Sequence, residues 1–208
     1  MIRNIIYFIG SVTLFSVSMI LYGMLQNTGE IPLEKILIEK NLDLTSDMNL
    51  VVDKKAHRLM IYNDTVFVKS YKASLGRSQK DIKSSVEDYV TPIGEYYICS
   101  VEKSEDYYRF FKLNFPNKLD AAEAYKNKDI SKFEYDKIIE SYNAGRCPTN
   151  KTRLGANIGI QGIGAYNFIF KNLPFIFNWT NGSISISNEG IDEIFPYVKI
   201  GTKVKIVH

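Results

Sequence analysis

Two cysteines and two histidines are all this chain has of the residues that most often hold metals. Cys99 and Cys147 are too few for a disulfide scaffold or a cysteine zinc cage. His57 and His208 stand far apart in sequence, so a histidine-rich metal site has no support, and neither a metal nor another cofactor is expected. Charge of one sign is lacking too. Lys plus Arg number 26 and Asp plus Glu 23, a balance that gives no electrostatic footprint for nucleic acid. Tandem repeats are absent. With 45% hydrophobic and 13% aromatic residues, the 208-residue chain can build a real core, which excludes disorder.

Charge is missing most completely near the start. Between Arg3 and Glu30 lie 26 residues without a charged side chain. Residues 5–25 read IIYFIGSVTLFSVSMILYGML, long and apolar enough to cross about 30 Å of hydrocarbon as a helix. Arg3 and the α-amino group put positive charge before it, so the N-terminus is expected in the cytoplasm. The remainder then lies in the periplasm or extracytoplasmic space. A cleaved signal peptide is the rival reading, but the run is long for one and no A-x-A-like site follows. Residues 1–26 are therefore read as an inner-membrane anchor or signal segment. Residues 27–48 read as a linker, in which Ile36, Leu37, Leu42 and Leu44 could form a short helix. Residues 49–208 read as one domain.

Strand signals dominate that domain. Residues 50–52 are a β-rich run, and 57–62 and 66–71 form a hairpin across Asn63-Asp64-Thr65. Residues 78–88 are polar and read as a surface loop. Thr91-Pro92-Ile93-Gly94 reads as a turn before a strand over 95–101, and 204–207 as a closing strand. Helices intrude. Asp120 with Glu123, and Ser131 with Glu134, have the spacing of capping boxes. Tyr135, Ile138, Ile139 and Tyr142 follow helical spacing to a stop at Gly145. A last helix has Asn188 as its expected N-cap, Ile191, Ile194, Phe195 and Val198 as its stripe, and Gly201 as its end. The class is β-rich mixed α+β with an inserted helical hairpin.

Several blocks then occur in a telling order: LVVDKKAHRLMIYND, ASLG, TPIGEYYICS, NFPNKLDAAEAY, AGRCPTNKTRLGANIGIQGIG and NWTNGSISISNEGIDEIFPYVKIGTKVKI. Together they resemble the YkuD-type L,D-transpeptidases from about residue 49 to the C-terminus. The resemblance implies a β-sandwich-type domain with a cleft, and an enzyme that remodels peptidoglycan. In that family a cysteine attacks the carbonyl of the third residue of a tetrapeptide stem and expels D-alanine. The acyl group then passes to an amine or to water, and a histidine serves as base. The signature is His-x-Gly, a spacer, then Ser/Thr-x-Gly-Cys, often followed by Arg and Asn.

The framework matches and the chemistry does not. Gln161 stands at the histidine position, before Gly162 and Gly164. Thr180, Asn181 and Gly182 match the approach to the nucleophile, but Ser183 stands where the cysteine belongs. Ser185 takes the arginine position, and Asn188 matches. A serine hydroxyl is a useful nucleophile only beside a base, and glutamine cannot take a proton. Losing general-base help alone costs ~10²–10⁴-fold in rate. Backbone N–H groups around Gly182 and Ser183 could still form an oxyanion pocket. Gly162, Gly164, Thr180, Asn181, Gly182 and Asn188 are thus expected to bind substrate around the degenerate Ser183 and Gln161.

The expected function is a catalytically deficient member of the family that binds stem peptides or a cell-wall enzyme as regulator or scaffold. The alternative is an active L,D-transpeptidase or L,D-carboxypeptidase using Ser183. A third reading is a binding module for something unrelated to the wall, its old cleft closed by the Phe- and Ile-rich spacer 165–178. That spacer is expected to be a buried strand or loop extending the core, as aromatic runs usually are, with such a plug or an exposed patch docking on a partner or the membrane as the other readings. Cys147, in Gly145-Arg146-Cys147-Pro148, reads as structural. Cys99 reads as a buried strand residue, and a Cys99–Cys147 disulfide is permitted by an oxidising compartment.

Overall fold

The computed structural model describes residues 1–42, 48–104 and 107–208. Leu44, placed by the sequence in a possible linker helix, lies outside them. Helix α1 (Ile2–Asn27) comes first, then α2 (Leu33–Glu39). Eight strands follow: β1 (Met48–Asp53), β2 (Arg58–Asn63), β3 (Val66–Lys72), β4 (Gly94–Ser104), β5 (Tyr108–Leu113), β6 (Gly159–Gly162), β7 (Ile184–Ile186) and β8 (Lys203–Val207). Helices α3 (Lys118–Lys126) and α4 (Lys132–Asn143) are inserted between β5 and β6. Helix α5 (Asn167–Lys171) precedes β7, and α6 (Asn188–Ile194) follows it.

The strands form one mixed sheet in the order β3-β2-β1-β8-β4-β5-β6-β7. Pairs β1–β8 and β6–β7 are parallel, and the others are antiparallel. Strand β4 belongs to both halves: its start pairs with β8 and its remainder with β5. The two outer edges meet, because Ser74, just past β3, exchanges both backbone hydrogen bonds with Ser185 of β7 at 2.8 Å. The sheet thereby curls around its core. Alternation drives this burial: Met48, Leu50 and Val52 of β1, Leu59 and Ile61 of β2, and Val204 and Ile206 of β8 all point inward.

Part of the segment expected to be a linker packs with the domain. Leu33 and Leu37, one turn apart on α2, are buried in the core. Full burial of each contributes about 2 kcal/mol. Lys69 Nζ fastens the same stretch, bonding the Ile31 carbonyl at 2.8 Å and Glu193 of α6 at 2.6 Å.

Other expectations shift by a few residues. The cap of α3 is Asn117, with Asp120 at the third helical position, rather than Asp120 with Glu123. Ser131 and Glu134 do close a capping box on α4. Ser187, not Asn188, caps α6 through its hydroxyl. His57 lies in the turn before β2 at φ +52 rather than in the strand. Cys99 is half-buried rather than buried, and it is joined to Cys147 by a disulfide with 5.4 Å between Cα atoms. Its Cα spacing is ordinary for such a bond, which ties β4 to the chain leaving α4.

The aromatic spacer departs most from expectation. Phe168, Ile169, Phe175, Ile176 and Phe177 are exposed, not part of the core.

Candidate functional site

Three stretches converge at one end of the curled sheet: 74–76 beyond β3, 89–91 before β4, and 180–185 leading into β7. Gly76 accepts this crowding because it has no side chain; a Cβ there would stand 2.1 Å from the Tyr89 carbonyl and 3.1 Å from the Gly182 Cα. Gly182 is needed for a second reason. Its φ is +121, and a Cβ would meet the Val90 carbonyl at 2.6 Å.

Thr180 shapes the turn that delivers Ser183. Its hydroxyl donates to the Ser183 carbonyl at 2.6 Å and accepts from the Gly182 N–H at 3.2 Å. One of the two N–H groups expected to make an oxyanion pocket is therefore engaged within the turn. Ser183 itself is 7% exposed. Its Oγ donates to the Asn157 carbonyl and accepts from the Gly159 N–H, both at 3.3 Å, so both partners are backbone groups.

Strand β6 carries Gln161, which is 3% exposed and stands opposite Ser185 in the parallel register with β7. Gln161 and Ser183 line one groove of about 450 Å³. Thr180 and Asn181 line it too, as do Lys83, Glu102, Tyr107 and Trp179. No residue of the spacer 165–178 is among the lining residues, so the alternative reading of a plug finds no support in this groove. Gly162, Gly164 and Asn188 are held elsewhere. Asn188 clamps Gly164, accepting from its N–H at 3.0 Å and donating to its carbonyl at 3.1 Å. A Cβ on Gly162 would meet the Asn188 Oδ1 at 2.6 Å, so this trio packs as a unit.

The charged groups around the groove were not singled out in the sequence. Lys83 sits in the stretch read as a surface loop, yet its side chain is 2% exposed and its Nζ lies 2.6 Å from Asp88 Oδ1. Burial pushes the Asp88 carboxyl up, but Lys83 and the N–H groups of Val90, Ser84 and Ser85 outweigh it and hold it below the usual range. Ser85 with Asp88 three residues on is a legible capping-box spacing, and the structure closes that box over the turn Val86–Asp88. At the mouth, Arg77 bonds Asn181 at 2.6 Å and stacks 4.0 Å above the Tyr89 ring.

A second cavity of about 370 Å³ lies between the end of α1, α5 and β3. Phe168, Phe170, Phe175 and Phe177 line it, together with Ser185, whose buried Oγ has no hydrogen-bond partner among the described residues.

Comparison with known proteins adds the following. The L,D-transpeptidase catalytic domain family, YkuD, matches residues 47–206. A search of curated proteins returns no match. Among solved structures, L,D-transpeptidase 1 of Mycobacterium tuberculosis aligns at 13% identity over 78% of this chain and 62% of its own, with a TM-score of 0.43. An L,D-transpeptidase of Mycobacterium smegmatis aligns at 10% identity over 78% and 59%, with a TM-score of 0.47. Bdellovibrio bacteriovorus Bd1075 aligns at 20% identity over 78% and 48%, with a TM-score of 0.48. The chain thus spans about half to three-fifths of the length of these proteins.

Proposed function

The chain belongs to the YkuD L,D-transpeptidase catalytic-domain family, and from that premise we propose that it is a membrane-anchored, catalytically deficient member. It receives peptidoglycan stem peptides in the groove lined by Gln161 and Ser183 and acts as a regulator or scaffold at the wall, alone or with a cell-wall enzyme.

One observation carries the reading: among the described residues, both hydrogen-bond partners of the Ser183 hydroxyl are backbone groups. To attack a carbonyl, that hydroxyl must lose its proton as the new C–O bond forms. The Asn157 carbonyl cannot take a proton in the transition state, and neither can the Gln161 amide. Lys83, Glu102 and Tyr107 also line the groove, but Lys83 is committed to Asp88 and Glu102 accepts a hydrogen bond from Ser100. The binding half of the reading is supported by the groove itself, which Trp179, Thr180 and Asn181 line beside Ser183.

Placement outside the cytoplasm rests on three features. Helix α1 has a mean hydropathy of 2.0 and no buried residue in its most apolar stretch. Positive charge precedes it at Arg3. The Cys99–Cys147 disulfide suits an oxidising compartment.

The test uses the full chain in detergent micelles, incubated with a carbapenem and read by intact-protein mass. No adduct is expected, together with retention on isolated sacculi that Asn181→Trp, at the groove mouth, reduces. A covalent adduct that Ser183→Ala abolishes would overturn deficiency. It would favour the second reading, an active L,D-transpeptidase or L,D-carboxypeptidase in which Lys83, freed from Asp88, acts as base to Ser183.

A further inference from the structure

The spacer 165–178 carries one charged residue, Lys171, and that residue is paired with Glu189. Around it the chain exposes apolar side chains that a water-facing surface would not keep: Phe168 is 57% exposed, Phe175 53% and Phe177 55%, with Ile169 and Ile176 beside them. This strip is not free to drift from α1. Gly23 of α1 is buried against it so closely that a Cβ there would lie 1.7 Å from the Asn172 carbonyl. Asn27 Nδ2 donates to the Lys171 carbonyl and to Asn172 Oδ1, both at 3.0 Å. Asn172 in turn donates to the Phe168 carbonyl at 2.8 Å. A chain of short contacts therefore joins the last turn of α1 to the base of the exposed strip.

The position along α1 decides what covers it. Residues 5–25 rise about 31 Å as a helix, close to the ~30 Å of a hydrocarbon core. Gly23 falls two residues inside the distal end of that span. Asn172 therefore stands at the boundary between hydrocarbon and headgroups, and the apolar surface of α1 runs on into that of the strip. Exposed aromatic and aliphatic side chains with almost no charge suit that depth.

We propose that Phe168, Ile169, Phe175, Ile176 and Phe177 lie in the headgroup and upper acyl region of the bilayer that α1 spans, docking the domain against the lipid surface. The proposal rests on reading α1 as the anchor. It makes the strip a second membrane contact, so that the domain is held in one orientation rather than swinging on a tether.

The experiment uses the full chain in nanodiscs of phosphatidylethanolamine and phosphatidylglycerol. Both native cysteines are in the disulfide, so single introduced thiols take a nitroxide label cleanly. Labels are placed by Phe168→Cys and Phe177→Cys in the strip, Leu14→Cys in mid-α1, and Phe133→Cys on exposed α4. Collision with oxygen against a water-soluble nickel chelate reads depth. The expected result is a deep label at 14, interfacial labels at 168 and 177 with oxygen access exceeding nickel access, and an aqueous label at 133. Asn172→Ala should shift the strip labels toward the aqueous value while leaving 14 deep. Strip labels as aqueous as 133, with 14 still deep, would overturn docking and leave the anchor standing. Strip labels shielded from both reagents would mean a protein partner or second copy covers the strip, and would overturn it too. An aqueous label at 14 would remove the anchor and the docking with it.

Discussion

Buried Lys83 and half-buried Asp88 form an ion pair beside the groove, 2.6 Å apart, five residues from each other in a stretch that reads as an ordinary polar loop. The carboxylate also accepts from the N–H groups of Ser84, Ser85 and Val90, so it organises the turn as well as the lysine. Lys83 shares the groove lining with Ser183, and its ammonium is paired with Asp88.

Breaking that pair should be costly. Asp88→Asn leaves Lys83 buried without its counter-charge, for which a loss of about 3–5 kcal/mol is expected. Because the folded Asp88 carboxyl is held below its ordinary value, its contribution is present above that value and is lost as pH falls through the folded one. Urea unfolding of wild type and Asp88→Asn from pH 3 to 7 checks both, and the gap between them should widen as pH rises.

Asp120 should behave in the opposite sense. Burial raises its carboxyl to about 6, against stabilising hydrogen bonds from the Asn117 N–H and the Tyr96 hydroxyl. An acid raised on folding favours the protonated native state. Its contribution is full below the unfolded value near 4 and is lost as pH rises through about 6. The loss corresponds to about 3 kcal/mol. Relative to wild type, Asp120→Asn should gain up to that much between pH 4 and 7. Carbon NMR of the carboxyl should show a midpoint near the raised value.

Reducing the Cys99–Cys147 disulfide releases a loop with a sequence separation of 48. Loop entropy sets the expected loss at about 4 kcal/mol. Thermal unfolding with and without reductant measures it, and Cys99→Ser with Cys147→Ser should match the reduced protein.

Gln161→His together with Ser183→Cys should restore acylation by a carbapenem. A thiol beside an imidazole supplies the thiolate that a serine facing backbone groups lacks. The groove is not filled by the spacer, so access does not prevent it. Intact mass should show the adduct on the double variant, and neither single variant should reach the same extent.

The Ser131–Glu134 box, the alternation along β1 and β2, and the stop at Gly145 were all readable, because each is a local rule satisfied within a few residues. So was the family, and Gln161 and Ser183 differ from its signature by identity, which needs no coordinates. The docking of α2 was less legible, since Leu33 and Leu37 sit in a short stretch of mixed polarity and the β3 and α6 surfaces they pack beside lie far along the chain. Lys83 looked like a surface charge because its partner is set by a turn, not by a periodicity.

What the chain alone determined, then, was its apolar N-terminal span, its β-rich core and the residue types at the two reactive positions. Tertiary structure decided where those residue types face. It gave the Ser183 hydroxyl backbone partners, kept the aromatic spacer out of the groove lining, and brought it out beside α1 instead of into the core. Such choices depend on which surfaces meet from distant parts of the chain (Asn27 with Asn172, Ser74 with Ser185). No local pattern encodes that closure; it comes from the curl of a sheet whose two edges bond to each other.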